Sequence, residues 1–359
     1  MDYDFDGIVI KDSIYGVYLD IEYDILRNVA SRFTVDESFT YTEQWKLDRL
    51  IEMRQVTELN NDIFRKHDKA IDNSLRKEME TLQNEIVKKD IKLLNNSVRR
   101  GDEMALKRII DVQIEDFKLD KNLTRISALE SAQQSFLDII NRTAVEVELS
   151  TKTPYEALRD SVKEFGRQNI KTVTYAKNGK FQTMQIDSAI KRSVNTRLTQ
   201  TMAQTQFAKM NEWGVELLEV SSHGGARPNC APYQGKIYTR GQRTAKYPSF
   251  ETDSSYGQPD GLLGINCTHV IYPFIEGVSE QTYFPYDKDM NDKLYIESQT
   301  QRTLERNIRT TKREILTLKS AGFDAGKEEQ KLKSIQSKMR DFISETGRTR
   351  HYENEKIYA

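Results

Sequence analysis

Both cysteines of the chain and two of its four histidines fall in two short stretches, "HGGARPNC" at 223–230 and "CTH" at 267–269. Thiolate sulfur and imidazole nitrogen are donors that zinc favours, and four of them, His223, Cys230, Cys267 and His269, suffice for a closed structural site. If Cys267 and His269 lie on a strand they point to one face, and a loop bearing His223 and Cys230 could fold over it. The spacings match no standard finger, since Cys-x-His is tighter than a zinc knuckle and His-x6-Cys is no common half-site. Three other readings suit the same residue types. Unpaired cysteines often pack as small buried hydrophobes. A thiolate activated by a neighbouring imidazolium, with Arg227 adding positive potential, would be a nucleophile. Outside a reducing compartment, Cys230 and Cys267 could form a disulfide.

Around this cluster Arg227, Lys236, Arg240, Arg243 and Lys246 interleave with Tyr233, Tyr238 and Tyr247. Basic and aromatic residues so mixed can grip a nucleic-acid backbone, although such a stretch is more often a solvated loop. No P-loop, G-x-S-x-G, HExxH or regularly spaced carboxylate motif appears, so an enzyme is not the expectation. His67 and His351 read as surface positions, on a long helix and in a basic tail.

The chain has 359 residues, 37% hydrophobic and 30% charged, with 17 Tyr and 14 Phe. That is too apolar and aromatic for disorder, yet polar enough for long solvated helices. The formal net charge of −1 gives no global field toward nucleic acid or membrane. The distribution is uneven. Residues 1–60 carry six Lys/Arg against thirteen Asp/Glu, residues 188–248 nine against three, and residues 298–359 fourteen against nine. No apolar run of about 18 residues exists to span a bilayer. The acidic start lacks the features of a signal peptide, so synthesis in a reducing cytosol is expected, with no membrane anchor.

The elements that must position the cluster are mostly helical. Ile14, Val17, Tyr18, Ile21, Ile25, Leu26 and Val29 recur at helical spacing behind Asp12 as cap. "TYTE" at 40–43 predicts a capping box on Thr40 and Glu43. A long helix, or two with a bend, follows to about Leu94. The pattern breaks at "SVRRGDE", restarts behind Asp102, and is taken up by a further helix over 127–148. Thr153 with Pro154 opens the next helix, and Gly166 is its expected stop. Period-2 alternation on both sides of Asn178-Gly179 predicts a hairpin with a type I′ turn. Asp187 caps a helix ending near Gly214, and "VELLEVSSH" reads as a buried strand leading into the cluster. Two charged helices flank "SAGFDAG" at 320–326, with sparse hydrophobics that suggest a protruding hairpin. The expected fold is mainly α with a small α+β domain. Residues 1–167 form a helical docking region, 168–290 the α+β domain with the His/Cys cluster, and 291–359 a charged helical hairpin and tail.

"VSSHGGARPNCAPYQGKIY", then "YPSF", then "GINCTHVIYPFIEGVSE" resembles the signature region of tailed-phage minor capsid proteins, the group related to Mu F-like head morphogenesis proteins. His223, Gly225, Ala226, Arg227, Pro228, Gln234, Gly235, Lys236, Gly264, Asn266, Cys267 and His269 fall on the family pattern. Cys230 stands where His is usual, Tyr233 where Trp is, and Leu263 where a cysteine is common. The resemblance covers most of the chain but is most specific over 220–280. It implies a structural virion protein made in the bacterial host cytoplasm, at the inner capsid or portal vertex. Its implied partners are the portal protein and other capsid proteins, with packaged double-stranded DNA nearby, and its role is head assembly with DNA packaging or ejection. The competing expectation is a nucleic-acid-processing or toxin-like enzyme using His223, Arg227 and Cys230, because Mu F-like domains are sometimes joined to such modules.

Overall fold

A helix that never breaks dominates the first part of the chain. In the computed structural model, which describes residues 10–93, 103–177 and 180–358, α1 (Ile10–Ala30) is followed by the 51-residue α2 (Glu43–Leu93) and the 46-residue α3 (Glu103–Glu148). Then come α4 (Pro154–Gln168), the hairpin β1 (Lys171–Lys177) and β2 (Lys180–Gln185), and α5 (Ile186–Trp213). Short strands β3 (Leu217–Val220), β4 (Ile237–Thr239) and β5 (Ile271–Phe274) precede α6 (Lys288–Ser320) and α7 (Gly326–Thr346). The fold is mainly α with two small antiparallel sheets, β1-β2 and β4-β3-β5.

Several boundaries differ from the sequence expectations, each for a local reason. Asp12 lies inside α1 rather than capping it. The cap of α2 is Thr42, whose hydroxyl accepts from the Trp45 amide at 3.1 Å, not Thr40. α3 runs through the stretch where two helices were expected. "FKLDKNLTR" contains no glycine or proline to stop it, and Ser127 Oγ turns back onto the Leu123 carbonyl at 2.8 Å. Asp102 and the Asn178-Gly179 turn lie outside the described residues, although the pairing from Lys171↔Gln185 to Lys177↔Lys180 confirms the hairpin. Thr153 does cap α4, in a full capping box with Glu156. Gly166 does not end it. α4 continues to Gln168, and Asn169 at φ 60° makes the turn. Gly166 is instead a close-approach position, where a Cβ would sit 2.4 Å from Thr317 Oγ1 and 2.7 Å from the Arg313 carbonyl oxygen of α6.

The described segments fall into two compact units. The first holds Asp72–Asp120 and Lys191–Gln299, and the second Lys11–Ile71, Lys121–Ile190 and Thr300–Ala359. Because α2, α3, α5 and α6 each contribute to both, the units interleave along the chain. In the first unit, α5 packs on the three-stranded sheet through Ala203 and Met210 against Leu218, Val220, Tyr238 and Ile271. In the second, α1 buries Ile14, Tyr18, Ile21, Ile25 and Val29, the face that its periodicity predicts.

The second unit also buries charge. Arg313 of α6, fully enclosed, bonds Glu22 of α1 through Nε (3.0 Å) and Nη2 (2.6 Å) and meets Asp187 of α5 at 3.2 Å. Arg309 pairs with the same Asp187 oxygen at 3.2 Å, and the Asn169 amide donates to Glu22 at 2.5 Å. α6 is therefore not a helix that protrudes on sparse hydrophobics alone, because Arg309, Arg313 and Glu314 are themselves buried in the unit. Asp187, expected to cap α5, instead lies inside it as its second residue, where it accepts from the Ser188 amide at 2.6 Å and takes this ionic role.

Candidate metal centre

Strand β3 lies between β4 and β5, and the segments that join these strands carry the cluster. Cys230 lies between β3 and β4, at the start of a short 3-10 turn (Ala231–Tyr233). Cys267 and His269 sit in the stretch just before β5, not on the strand itself. α5 fixes that stretch. Thr196 Oγ1 accepts from the Asn266 amide at 2.9 Å, and Thr199 Oγ1 donates to the Cys267 carbonyl at 2.8 Å. The other segment is held by Gly235, at φ 65°, where a Cβ would lie 2.2 Å from the Phe284 carbonyl carbon. No other residue type fits there without moving backbone.

The sulfurs of Cys230 and Cys267 and a nitrogen of His269 lie within 4.8 Å of one another, and all three residues are buried. His269 Nδ1 is 3.5 Å from Cys267 Sγ, while Nε2 is 3.1 Å from Gln234 Oε1. The same Gln234 oxygen accepts from the His223 backbone N–H at 3.0 Å. A backbone N–H can only donate, so it fixes which end of the amide is the oxygen. Nε2 of His269 must therefore carry a hydrogen, and Nδ1 faces the sulfur.

Electrostatics on the pair are uneven. The hydrogen bond from Cys230 and the His269 ring hold the Cys267 thiol well below its ordinary range against the opposing cost of burial. The neighbouring Cys267 and burial push Cys230 up. The two thiols thus share their environment unequally, Cys267 being the one whose ionised form is favoured. Arg227 closes the rim, donating to the Ile265 carbonyl (3.1 Å), the Cys230 sulfur (3.6 Å) and the Gly261 carbonyl (3.5 Å).

His223 is brought close but is not part of the three-donor group. Its ring packs on that of His269 with centroids 4.6 Å apart, its Nδ1 faces the Gly224 carbonyl (3.2 Å), and its Nε2 the Thr268 hydroxyl (2.9 Å). Both thiols are 1% exposed, which is not how a nucleophile meets a substrate. The other cations are scattered in role. Arg240 lies over the Phe207 ring, Arg243 is 3.7 Å from Asp253, Lys246 pairs with Glu276, and Lys236 is exposed. Sequence reasoning gave Gln234 no role beyond its place in a motif. Its position between a turn glycine and the cluster was the available signal.

Comparison with known proteins agrees over nearly the whole length. The family model described as phage minor capsid protein 2 matches residues 7–344. A protein named "Structural protein" from Lactococcus phage LL-H is 26% identical over 370 residues, covering 98% of each chain. A second "Structural protein", from Lactococcus phage mv4, is 37% identical over 115 residues, 31% of this chain and 93% of its own. No solved structure matches the chain significantly. On a match that spans both compact units and the Cys/His cluster, the chain belongs to the phage minor capsid protein 2 family.

Proposed function

We propose that the protein is a structural component of a tailed-phage virion, made in the bacterial host. It occupies the inner capsid or portal vertex and aids head assembly and DNA packaging or delivery. Family membership and the printed names of both relatives support the structural part. The observation that carries the docking part is a wet apolar stripe on α3. Val112, Leu119, Leu123 and Ile126 are 50%, 70%, 49% and 46% exposed. Val112, Leu119 and Ile126 recur every seven residues, which keeps them on one side of a helix, with Leu123 beside them. Large apolar side chains aligned in this way mark a surface that another protein covers.

The partner is another head protein, the portal first among them. Head particles assembled with a Leu119→Glu/Ile126→Glu variant test this. Incorporation should fall at least about tenfold while thermal unfolding of the free protein stays unchanged, since both sites are exposed. Normal incorporation would remove the docking surface from the proposal.

Packaged DNA enters as a further partner through Lys236, Arg240, Arg243 and Lys246, with Asp253 and Glu276 offsetting part of their charge. Each phosphate neutralised steepens the fall of log affinity with log salt by about 0.9. A salt slope near zero, or no measurable binding, would leave protein partners only.

A further inference from the structure

We infer that Cys230 Sγ, Cys267 Sγ and His269 Nδ1 are the three side-chain ligands of one soft divalent cation, with zinc the best fit. The fourth position is left to a small exogenous ligand such as water, and His223 and Gln234 position the imidazole without ligating. This reading is independent of where the protein sits in the virion.

Geometry is the first support. Zinc bond lengths to sulfur and nitrogen with a tetrahedral angle place those two donors about 3.6 Å apart. Cys267 Sγ and His269 Nδ1 stand at 3.5 Å. The three donor atoms already lie within 4.8 Å of one another, so a contraction of roughly 1 Å or less completes the set.

The imidazole's orientation is the second. Ligating histidines usually give their other N–H to a carbonyl or carboxylate, which fixes the tautomer and aims the lone pair at the metal. Here the Gln234 oxygen receives that N–H, and the His223 backbone N–H in turn fixes Gln234. The chain thus spends a fully buried amide on presenting Nδ1 to two sulfurs. Each sulfur also accepts from nitrogen, Cys267 from the His269 backbone N–H (3.4 Å) and Cys230 from Arg227 (3.6 Å). Such donors favour thiolate, the form that binds metal. On binding, the metal takes the place of the thiol protons, which leave to buffer. Nothing is oxidised or reduced. The bound ion then ties the segment before β4 to the segment before β5.

The test uses the full chain purified under reducing conditions, with Zn²⁺ for stoichiometry and Co²⁺ as a spectroscopic probe. Wild type should hold about one equivalent of zinc and show thiolate-to-cobalt charge-transfer absorption. Cys267→Ser and Cys230→Ser should retain under about a tenth of an equivalent, and Gln234→Ala should bind about 10–100-fold more weakly. His223→Ala should still hold one equivalent. Loss of metal in His223→Ala equal to that in Cys267→Ser would overturn the three-ligand set. Should a cysteine variant fail to fold, wild type alone decides. Folded, reduced protein with two titratable thiols and under about a tenth of an equivalent of metal sinks the site. A Cys230–Cys267 disulfide that persists in reductant sinks it equally.

Discussion

Arg313 with Glu22 and Asp187 in one unit, and Cys230 with Cys267 and His269 in the other, both take ionisable groups out of water. They do so differently. In the second unit two guanidiniums face two carboxylates, and Asn169 adds a hydrogen bond to Glu22. Burial and the nearby Asp187 lift the Glu22 carboxyl, while Arg313 opposes them. Burial would lift Asp187 too, but Arg313 and Arg309 bring it below its ordinary value. The charges balance from within the chain. In the first unit the two cysteine sulfurs have Arg227 beside them, a cation already shared with the Ile265 and Gly261 carbonyls. Asp90 of α2 goes further. It is 1% exposed, and neither carboxylate oxygen has a well-formed hydrogen bond. The lesson is that the Arg313 network meets its buried carboxylates with guanidiniums from the same chain, whereas the buried Asp90 and the Cys/His group lack such a matched partner.

The largest expected effect tests the matched side. Arg313→Met leaves Glu22 and Asp187 buried with one fewer cation, and breaking such a pair costs about 3–5 kcal/mol. The chain has two tryptophans, Trp45 in the second unit and Trp213 in the first, so fluorescence in urea can follow each unit separately. The Trp45 transition should move to lower urea. Adding Glu22→Leu to Arg313→Met should recover part of the loss, because the stranded carboxylate goes with it. A shift worth under about 1 kcal/mol for Arg313→Met would mean that the network is solvated and the contrast between the units is not real.

The unmatched side predicts a pH dependence of opposite character. Burial pushes Asp90 up to about 7, with Gln206 and Lys89 only partly opposing it. A raised carboxyl binds its proton more tightly in the folded state. Its contribution is therefore fully present below the unfolded pKa and is lost as pH rises toward about 7. Within that window the first unit should lose up to about 1.4 kcal/mol per pH unit from this group. Asp90→Asn should flatten that slope and raise stability above pH 7. If wild type and variant show the same Trp213-reported stability from pH 5 to 8, Asp90 is not held as the contrast requires.

What the sequence shows of all this depends on the range of the interaction. Local chemistry was legible. The Thr153 cap of α4, the hairpin pairing and the buried face of α1 follow from neighbours within a few residues. Convergence of Cys230, Cys267 and His269 was also anticipated, because few residue types share their donor chemistry, although His223 was expected as a fourth donor and Cys267 and His269 lie before β5 rather than on it. The ionic network was illegible. Glu22, Asp187 and Arg313 each sit among other charges, and a charged helix face normally signals water. Nothing within one helix tells that Arg313 meets a partner 291 positions away. Gly166 misled for the same reason, since its lack of a side chain serves a neighbouring helix and not the end of its own.

The smallest effect sharpens the contrast from within the second unit. Glu328 of α7 is itself buried, and it bonds Arg159 of α4 at 3.0 Å and Lys163 at 2.7 Å. Burial raises its carboxyl, but Lys163 and Arg159 more than offset that and leave it below its ordinary value. Its stabilising share is thus present above the unfolded carboxyl pKa and is lost as pH falls through the depressed one. Both partners reach solvent, Lys163 to 35% exposure, so water and salt screen the pair in a way they cannot screen Arg313. Glu328→Gln should therefore cost about 1 kcal/mol or less, and that cost should shrink further in high salt. The Arg313→Met cost should stay nearly constant over the same salt range. Equal salt sensitivity at both sites would show that enclosure, and not the mere presence of opposite charges, had been misjudged as the difference between them.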